Sequence, residues 1–256
     1  MNLTISRVIG NKIQMRGNMN ANLVDIPYRL SIRFSPNGFS VFVCDVNEKV
    51  VASVNKTYKH SSDNTNNLKE AILSIKPSLP NCQEVILICE TEFYTLIPNS
   101  FFVADQAPDF LKLQHPDLPE TYQVFSHSLQ NKDSVFIFAY DSGIVQTLTE
   151  IFPALKIEHQ LTSSIEQPDH QNMISIWIRE ERMDCLVFHK GEIKLLNHYS
   201  YQTAEDIVYH ALNIAYHLQF DIMEFEIIVY SDEANAKNHE EIITTYLPQS
   251  DFRTIQ

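Results

Sequence analysis

The stretch Leu30–Asp45, LSIRFSPNGFSVFVCD, decides the fold because it predicts the first pair of strands. Apolar residues at 30, 32 and 34 alternate with polar ones, which is the period of a half-buried strand. Asn37-Gly38 is a strong hairpin signal, and Phe39–Cys44 follows as the second strand. The stretch therefore predicts an antiparallel hairpin, while the Asn-rich first twenty-odd residues predict no firm structure.

Three further elements complete the first predicted unit. Asn47-Glu48 offers a turn, and Val50–Tyr58 predicts a third strand. A helix then carries its apolar residues on one face and stops at Pro77, with Leu68, Ala71, Ile72 and Ile75 on that face. Val85–Cys89, VILIC, is typical of a fully buried strand. The predicted order is β-β-β-α-β.

The same order recurs in the second half. Strands are predicted at Met173–Ile178, Met183–His189 and Glu192–Tyr199, with Lys190-Gly191 at a turn. Thr203 with Asp206 three residues later resembles a capping box. It opens a helix whose predicted apolar face holds Ile207, Val208, Ala211, Ala215 and Leu218. Phe225–Tyr230 is predicted to be the closing strand, so the pattern indicates an internal duplication of topology.

The segment between the two units sets the predicted domain boundary. Ala107–Glu120 contains three prolines and favours an insertion or an exposed loop. A strand (Ser134–Tyr140), a helix (Ile144–Phe152) and a strand (Leu155–Leu161) follow, and then the polar run Ser163–Gln171. We therefore expect a first domain over residues 1–165, with an insertion near 91–133, and a second over 166–256. A last helix is predicted at Ala234–Tyr246.

Composition limits the classes of partner. The formal net charge is −13, which opposes binding to nucleic acid or to an anionic membrane surface. No apolar run reaches the length of a membrane span, and residues 1–14 have no apolar core of signal-peptide length. The four cysteines form no CxxC pair and are interpreted as reduced thiols. These features together predict a cytoplasmic α/β protein.

The duplicated pattern resembles the actin/Hsp70/hexokinase superfamily, in which each half is a ribonuclease-H-like fold. Residues 135–167 and 172–212 resemble the lead into the second domain, and its start, in actin-like pilus-assembly and cell-division proteins. More narrowly, the chain is similar to an uncharacterised Bacteroidetes family, domain of unknown function 3822. The resemblance spans roughly residues 28–247. It implies an actin-like ATPase fold made of two ribonuclease-H-like halves.

The resemblance also implies where a nucleotide site would lie. Actin-like ATPases place an Asp-x-Gly turn between the first two strands of each half, where the Asp acts through a metal ion and the Gly exposes backbone amides to phosphate. These positions fall on Arg33 and Ser35, and on Trp177 and Arg179. A Gly-rich turn that holds adenosine falls on Ser231-Asp232-Glu233. We therefore expect a degenerate nucleotide site, with no cofactor.

Six residues are candidates for a cleft between the two domains. They are Arg33, Ser35, Trp177, Arg179, Ser231 and Asp232. The two arginines would hold an anionic ligand or a partner carboxylate there. The alternative is that each arginine pairs with Glu180, Glu181 or another surface acid.

Trp177, the only tryptophan, has two interpretations. It would fill the vacated nucleotide cleft or anchor a partner. The alternative is a large residue packed at a domain junction.

No other motif predicts catalysis or metal binding. His210 and His217 are seven residues apart, which is too far for the i, i+4 pair of a zinc motif. A ribonuclease-H-like nuclease needs a carboxylate on its first strand, and that position is Arg33; Glu70 and Glu90 would supply only later ones.

Three functions stay open at this point. The first is a non-catalytic protein-binding or scaffold module, because actin-like relatives bind peptide segments or polymerise through this fold. The second is a divergent nucleotide-binding ATPase or kinase-like enzyme that uses an altered cleft. The third is a small-anion sensor that uses Arg33 and Arg179. The sequence names neither the partner nor the oligomeric state.

Overall fold

The computed structural model describes residues 3–6, 14–19, 28–35, 38–47, 49–57, 64–129, 132–166, 171–179 and 181–254. These residues fall into two compact units. Unit 1 takes its residues from Met1–Phe93, His115–Phe125 and Phe138–Gln160. Unit 2 takes them from Tyr94–Gln114, Ser126–Ile137 and Leu161–Gln256.

The secondary structure elements are numbered along the chain. The strands are β1 (Leu3–Ser6), β2 (Gln14–Met19), β3 (Tyr28–Ser35), β4 (Gly38–Cys44), β5 (Val50–Thr57), β6 (Cys82–Cys89), β7 (Tyr94–Pro98), β8 (Tyr122–Leu129), β9 (Ser134–Asp141), β10 (Leu155–His159), β11 (Asn172–Ile178), β12 (Arg182–His189), β13 (Glu192–Ser200), β14 (Glu226–Ser231) and β15 (Ser250–Thr254). The α-helices are α1 (Asn64–Ile75), α2 (Ala107–Gln114), α3 (Ser142–Ile151), α4 (Thr162–Glu166), α5 (Ala204–Leu218) and α6 (Glu233–Tyr246).

Unit 1 is built on a five-stranded sheet in the order β10-β6-β3-β4-β5. β3 pairs antiparallel with β4, and β4 with β5, whereas β3–β6 and β6–β10 are parallel. The predicted hairpin is confirmed, because Ser35 pairs with Gly38 across it; residues 36 and 37 lie outside the described residues. The turn predicted at Asn47 is confirmed too, since Asp45 Oδ1 accepts the backbone N–H groups of Asn47 and Lys49. The other half of that turn, Glu48, lies outside the described residues.

The core of unit 1 follows the predicted alternation. Leu30, Ile32 and Phe34 are buried, while Ser31 and Arg33 between them are only partly buried. α1 turns the predicted face inward and packs beside α3. Because side chains of a strand alternate between the two faces of a sheet, Arg33 lies on the face opposite the one that Leu30, Ile32 and Phe34 share.

Unit 2 repeats the topology of unit 1. Its sheet has the order β13-β12-β11-β14-β15, with β11–β12 and β12–β13 antiparallel and β11–β14 and β14–β15 parallel. On one face of this sheet the strands pack against α5 and α6 through a buried core that includes Ile176, Cys185 and Val229. The predicted duplication of topology is therefore confirmed, and each sheet carries one more α-β pair than the β-β-β-α-β pattern predicted.

The region predicted to be an insertion contains regular structure. β7, β9 and β8 form a three-stranded sheet in that order, and α2 buries Ala107 and Leu111. The loop predicted at Ala107–Glu120 is thus wrong for its first eight residues, because Pro108 lies in the first turn of a helix, where its missing N–H costs nothing.

Most of the insertion predicted near 91–133 groups with unit 2, namely residues 94–114 and 126–133. The predicted domains, residues 1–165 and 166–256, are not tested by this grouping. The predicted boundary after residue 165 stays a prediction.

Helix and turn signals agree with the sequence. α5 begins with the predicted capping box, in which Thr203 accepts from the backbone N–H of Asp206 and Asp206 accepts from that of Thr203. Lys190 and Gly191 both have positive φ, 53° and 80°, which suits Gly191. Leu218 differs from its prediction: it is partly exposed, because α5 ends there with Gln219 in the left-handed conformation. No helix among the described residues has both the length and the apolar character needed to cross a bilayer.

Candidate functional site

The end of β3 carries an ion pair in unit 1. Arg33 Nε lies 3.3 Å from Oε1 of Glu90, and the two side chains are 19% and 16% exposed. Glu90 directly follows β6, the parallel neighbour of β3, and carboxyl ends of parallel strands meet at one edge of a sheet. The charge of Arg33 is therefore compensated by an acid within its own unit.

A buried tyrosine is hydrogen-bonded to the end of β3, next to this ion pair. Tyr140, on β9, donates its hydroxyl to the backbone O of Phe34 at 3.2 Å. Burial raises the pKa of Tyr140 well above its usual value, with smaller contributions from neighbouring groups that include Cys89 and Glu90. The phenol is therefore neutral at physiological pH and acts as a hydrogen-bond donor to the end of β3.

Unit 2 holds a more deeply buried charge cluster at the corresponding edge. Asp184, on β12, is 5% exposed, and its Oδ1 accepts a hydrogen bond from the hydroxyl of Tyr94 at 2.9 Å. Arg179 Nε lies 3.8 Å from Oδ2 of Asp184, which is an ion pair rather than a hydrogen bond. Tyr201 donates its hydroxyl to the backbone O of Arg179. Burial, followed by the charge of Asp184, raises the pKa of Tyr94 well above its usual value.

Asp184 belongs to a row of charged and aromatic residues that crosses all five strands of the unit 2 sheet. The row follows the strand register, in which Arg253 pairs with Tyr230, Tyr230 with Trp177, Trp177 with Asp184 and Asp184 with His198. Residues directly opposite on paired strands share a face of the sheet. This face is opposite the one that packs on α5 and α6, since Ile176, Cys185 and Val229 alternate with the row.

Trp177 is stacked within unit 2. Its ring lies 4.0 Å from that of Tyr230 at an interplanar angle of 13°, and the residue is 6% exposed. Its Nε1 is buried, and the described residues supply no acceptor for it. The position that the resemblance assigns to a metal-linked Asp thus holds a large apolar ring that is already covered.

The third predicted turn is the start of α6. Ser231 ends β14 and is buried, and Asp232 is the N-cap of α6. The Asp232 carboxylate accepts the backbone N–H of Asn235 at 2.8 Å and its Nδ2 at 3.1 Å. The positive end of this helix is thus occupied by a carboxylate of the chain itself, which opposes a phosphate at the same place.

The structure brings four of the six predicted residues together. Trp177, Arg179, Ser231 and Asp232 lie at the carboxyl ends of the neighbouring parallel strands β11 and β14 in unit 2. Arg33 and Ser35 lie at the end of β3 in unit 1. The predicted grouping of the two sets in a single cleft stays a prediction.

The alternative that each arginine pairs with Glu180, Glu181 or another surface acid is right in kind, but the acids differ from the two that it named. The structure has Glu90 with Arg33 and the buried Asp184 with Arg179; Glu180 itself lies outside the described residues. One signal was available: an aspartate inside the apolar strand MDCLVF, Met183–Phe188, is rarely buried without a cation or donor. Tyr94 had no local signal, because only the fold brings it to Asp184.

The described residues contain neither a cluster of metal-ligating side chains nor, at Cys82 and Cys185, a thiol that is ionised at physiological pH. Among them, no three His, Cys, Asp or Glu side chains lie close enough to hold a metal ion. His189 and His198 lie on neighbouring strands but are not opposite each other, since His189 pairs with Glu192 and His198 with Asp184. Burial raises the pKa of the Cys185 thiol to about 12 and that of Cys82 to about 11, so both are neutral at physiological pH.

Comparison with protein families gives one match, and it covers most of the chain. Residues 22–249 match the family model described as "Protein of unknown function (DUF3822)". No curated protein matches the sequence.

Comparison with solved structures identifies the fold. A Bacteroides thetaiotaomicron protein, described as having an actin-like ATPase fold and unknown function, is 22% identical with a TM-score of 0.74, over 88% of this chain and 90% of that chain. The ethanolamine utilization protein EutJ of Carboxydothermus hydrogenoformans is 10% identical with a TM-score of 0.53, over 91% of this chain and 86% of that chain. A chain of a PilM-PilN type IV pilus biogenesis complex is 8% identical with a TM-score of 0.52, over 89% of this chain and 88% of that chain. The chain therefore has an actin-like ATPase fold.

Proposed function

Because the chain belongs to the DUF3822 family, whose description states no function, we propose a function from its own residues: a non-catalytic protein-binding or scaffold module on an actin-like fold. The observation that carries the proposal is the chemistry at the three strand ends where the resemblance expects a nucleotide. Each of these strand ends carries at least one side chain that already has a partner inside its own unit: Arg33, Trp177 and Asp232.

Unit 1 supports the proposal through charge. A metal-linked nucleotide site needs an acidic side chain near the end of the first strand. Position 33 instead holds a guanidinium 3.3 Å from Glu90. The Glu90 carboxylate is thereby engaged by a cation, and a divalent ion beside Arg33 would meet a like charge.

Unit 2 supports the proposal through shape and charge. Trp177 stacks on Tyr230, and the Asp232 carboxylate caps α6. Phosphate needs bare backbone N–H groups, which glycine turns supply. A nucleotide would have to displace a buried aromatic stack and also approach a carboxylate, and both changes cost free energy.

The likeness of fold favours a protein partner. The PilM-PilN type IV pilus biogenesis complex contains a chain of similar fold in complex with another protein. At 8% identity this likeness concerns fold alone, so the identity of a partner has to come from this chain's own surface.

Phosphate release from ATP with Mg²⁺ tests the non-catalytic part of the proposal. We expect purified protein to release phosphate no faster than buffer does. Arg33→Ala is the matched variant, because a divergent ATPase that uses this cation for phosphate would lose activity with it. Phosphate release by the wild-type protein that falls in Arg33→Ala would contradict the proposal and support the enzyme.

A further inference from the structure

α5 has an apolar outer face in addition to its buried one. Its inner face packs in the core of unit 2. Tyr209, Leu212 and Tyr216 are spaced three and four residues apart, so they lie along one line of the helix, and they are 62%, 41% and 78% exposed. We name these three residues the α5 stripe. A helix that is apolar on two faces is typical of one that is covered on both.

The α5 stripe has the spacing of a helix-pairing seam. Tyr209, Leu212 and Tyr216 occupy successive a, d and a positions of a heptad pattern. The segment repeats Tyr-His seven residues apart, and each tyrosine contacts the following histidine edge to face, His210 and His217. Tyrosine is also one of the residue types that are enriched among the anchors of protein interfaces.

The surroundings of the α5 stripe are strongly acidic. α5 and α6 pack side by side on the same face of the sheet. Residues 203–225 and 232–246, which include both helices, contain eight acidic residues and Lys237 as their one lysine, with no arginine. The acidic residues are Glu205, Asp206, Asp221, Glu224, Asp232, Glu233, Glu240 and Glu241. Glu226 is not among them, because β14 turns Ile227 and Val229 toward the helices and Glu226 to the opposite face.

We propose that the α5 stripe docks a basic amphipathic helix of another protein, with apolar residues at heptad spacing and Lys or Arg beside them. The inference rests on the proposed protein-binding role and identifies its surface and the chemistry of its partner. The apolar seam supplies the buried contact, and the acidic surroundings attract the flanking cations. A second copy of the chain fits less well, because it would bring two acidic surfaces together.

A synthetic helical peptide of about three heptads, with Leu at a and d and Lys at e and g, is the probe. Two matched peptides separate charge from pattern: one has Glu in place of Lys, and the other has the basic composition in scrambled order. By fluorescence anisotropy we expect the patterned basic peptide to bind at least about tenfold more tightly than either, and more weakly at high salt.

Variants of the protein locate the binding. Tyr209→Ser/Tyr216→Ser removes both exposed tyrosines and should weaken the basic peptide about tenfold or more. Leu113→Ser is the control, since Leu113 is exposed on α2, outside residues 203–246, and should leave binding unchanged. Circular dichroism of each variant checks that the fold is retained.

Three results would overturn the inference. They are equal or undetectable binding of all three peptides, unchanged binding by the double variant, and a wild-type dimer in sedimentation that the double variant dissociates. The third result would assign the α5 stripe to a second copy. None of these depends on phosphate release, so failure of this surface is distinguishable from failure of the non-catalytic assignment.

Discussion

The two five-stranded sheets have the same strand order but hold charge differently at the end of their first strands. In unit 1 the Arg33–Glu90 pair is partly exposed and joins the ends of two parallel strands. In unit 2 Asp184 is buried and accepts a hydrogen bond from the Tyr94 hydroxyl. Its neighbour on the paired strand, Trp177, stacks on Tyr230. Backbone topology thus fixes where a site would lie, while a few side chains decide what that place can hold.

The helices that follow the three antiparallel strands differ in the same way. α1 exposes a mixed surface of Lys69, Glu70, Leu73 and Ser74. α5, at the same point of the topology, exposes the α5 stripe. On the proposals above, unit 2 carries both the more buried of the two strand ends and the surface for a partner.

The largest difference in stability is expected between variants of Trp177 in unit 2 and Arg33 in unit 1. Trp177→Ala should lower the free energy of unfolding by about 3–5 kcal/mol, because it leaves a cavity in a buried stack. Arg33→Ala, at the position that the resemblance aligns with it, should cost about 1 kcal/mol or less. Urea unfolding followed by far-ultraviolet circular dichroism measures both. Equal losses of unfolding free energy in the two variants would contradict the claim that the end of β11 is the more deeply packed of the two strand ends.

The next effect compares the two carboxylates. Asp184→Ala should cost about 3 kcal/mol, since it removes one partner of a buried ion pair, whereas Glu90→Ala should cost about 1 kcal/mol or less. Trp177 is the only tryptophan and lies in unit 2, so its fluorescence in urea reports the loss for Asp184→Ala, while far-ultraviolet circular dichroism measures the loss for Glu90→Ala in unit 1. Asp184→Asn is the control, because it keeps an acceptor for Tyr94 and removes only the charge. A loss for Glu90→Ala as large as that for Asp184→Ala would contradict the contrast in burial.

Alkaline pH should separate the two units by their tyrosines. Burial raises the pKa of Tyr94 and of Tyr140 above the ordinary value of 10.0, so each stabilises the fold below pH 10 and loses that contribution as pH rises through the raised pKa. Tyr94→Phe should move the alkaline transition of Trp177 fluorescence to higher pH. Tyr140→Phe, in unit 1, should leave that transition in place. A shift of equal size in both variants would show that fluorescence does not isolate unit 2.

The smallest effect concerns the cap of α5. Thr203→Ala removes one half of the capping box and should cost about 1 kcal/mol. The backbone N–H groups of Gln202 and Thr203 hold the pKa of Asp206 below its usual value. The stabilisation by Asp206 is therefore present above its ordinary pKa and lost as pH falls through the lowered one. Acid unfolding of Asp206→Asn that begins at the same pH as in the wild type would contradict this contribution.

The strands with clear periodicity were predictable, and so was the duplicated topology. Leu30, Ile32 and Phe34 alternate with polar residues, and their burial follows that alternation. β15 was not predicted, because an edge strand of sequence SDFRT has one apolar residue and is largely exposed. α2 was missed because the prolines around it indicated a loop.

The candidate site was predictable only where it depends on chain position. Strand ends follow from strand order, so Arg33, Trp177 and Arg179 were found. Their contacts were not found, because Glu90 is 57 positions from Arg33 and Tyr94 is 90 positions from Asp184, and no local pattern encodes such pairs.

Isothermal titration calorimetry of the full chain with ATP and Mg²⁺ tests the central claim most directly. We predict no saturable heat in the micromolar range, for the wild type or for Arg33→Ala. Saturable one-to-one binding by the wild type with a micromolar Kd, lost when Mg²⁺ is chelated, would mean that these strand ends still hold a nucleotide and would contradict the account.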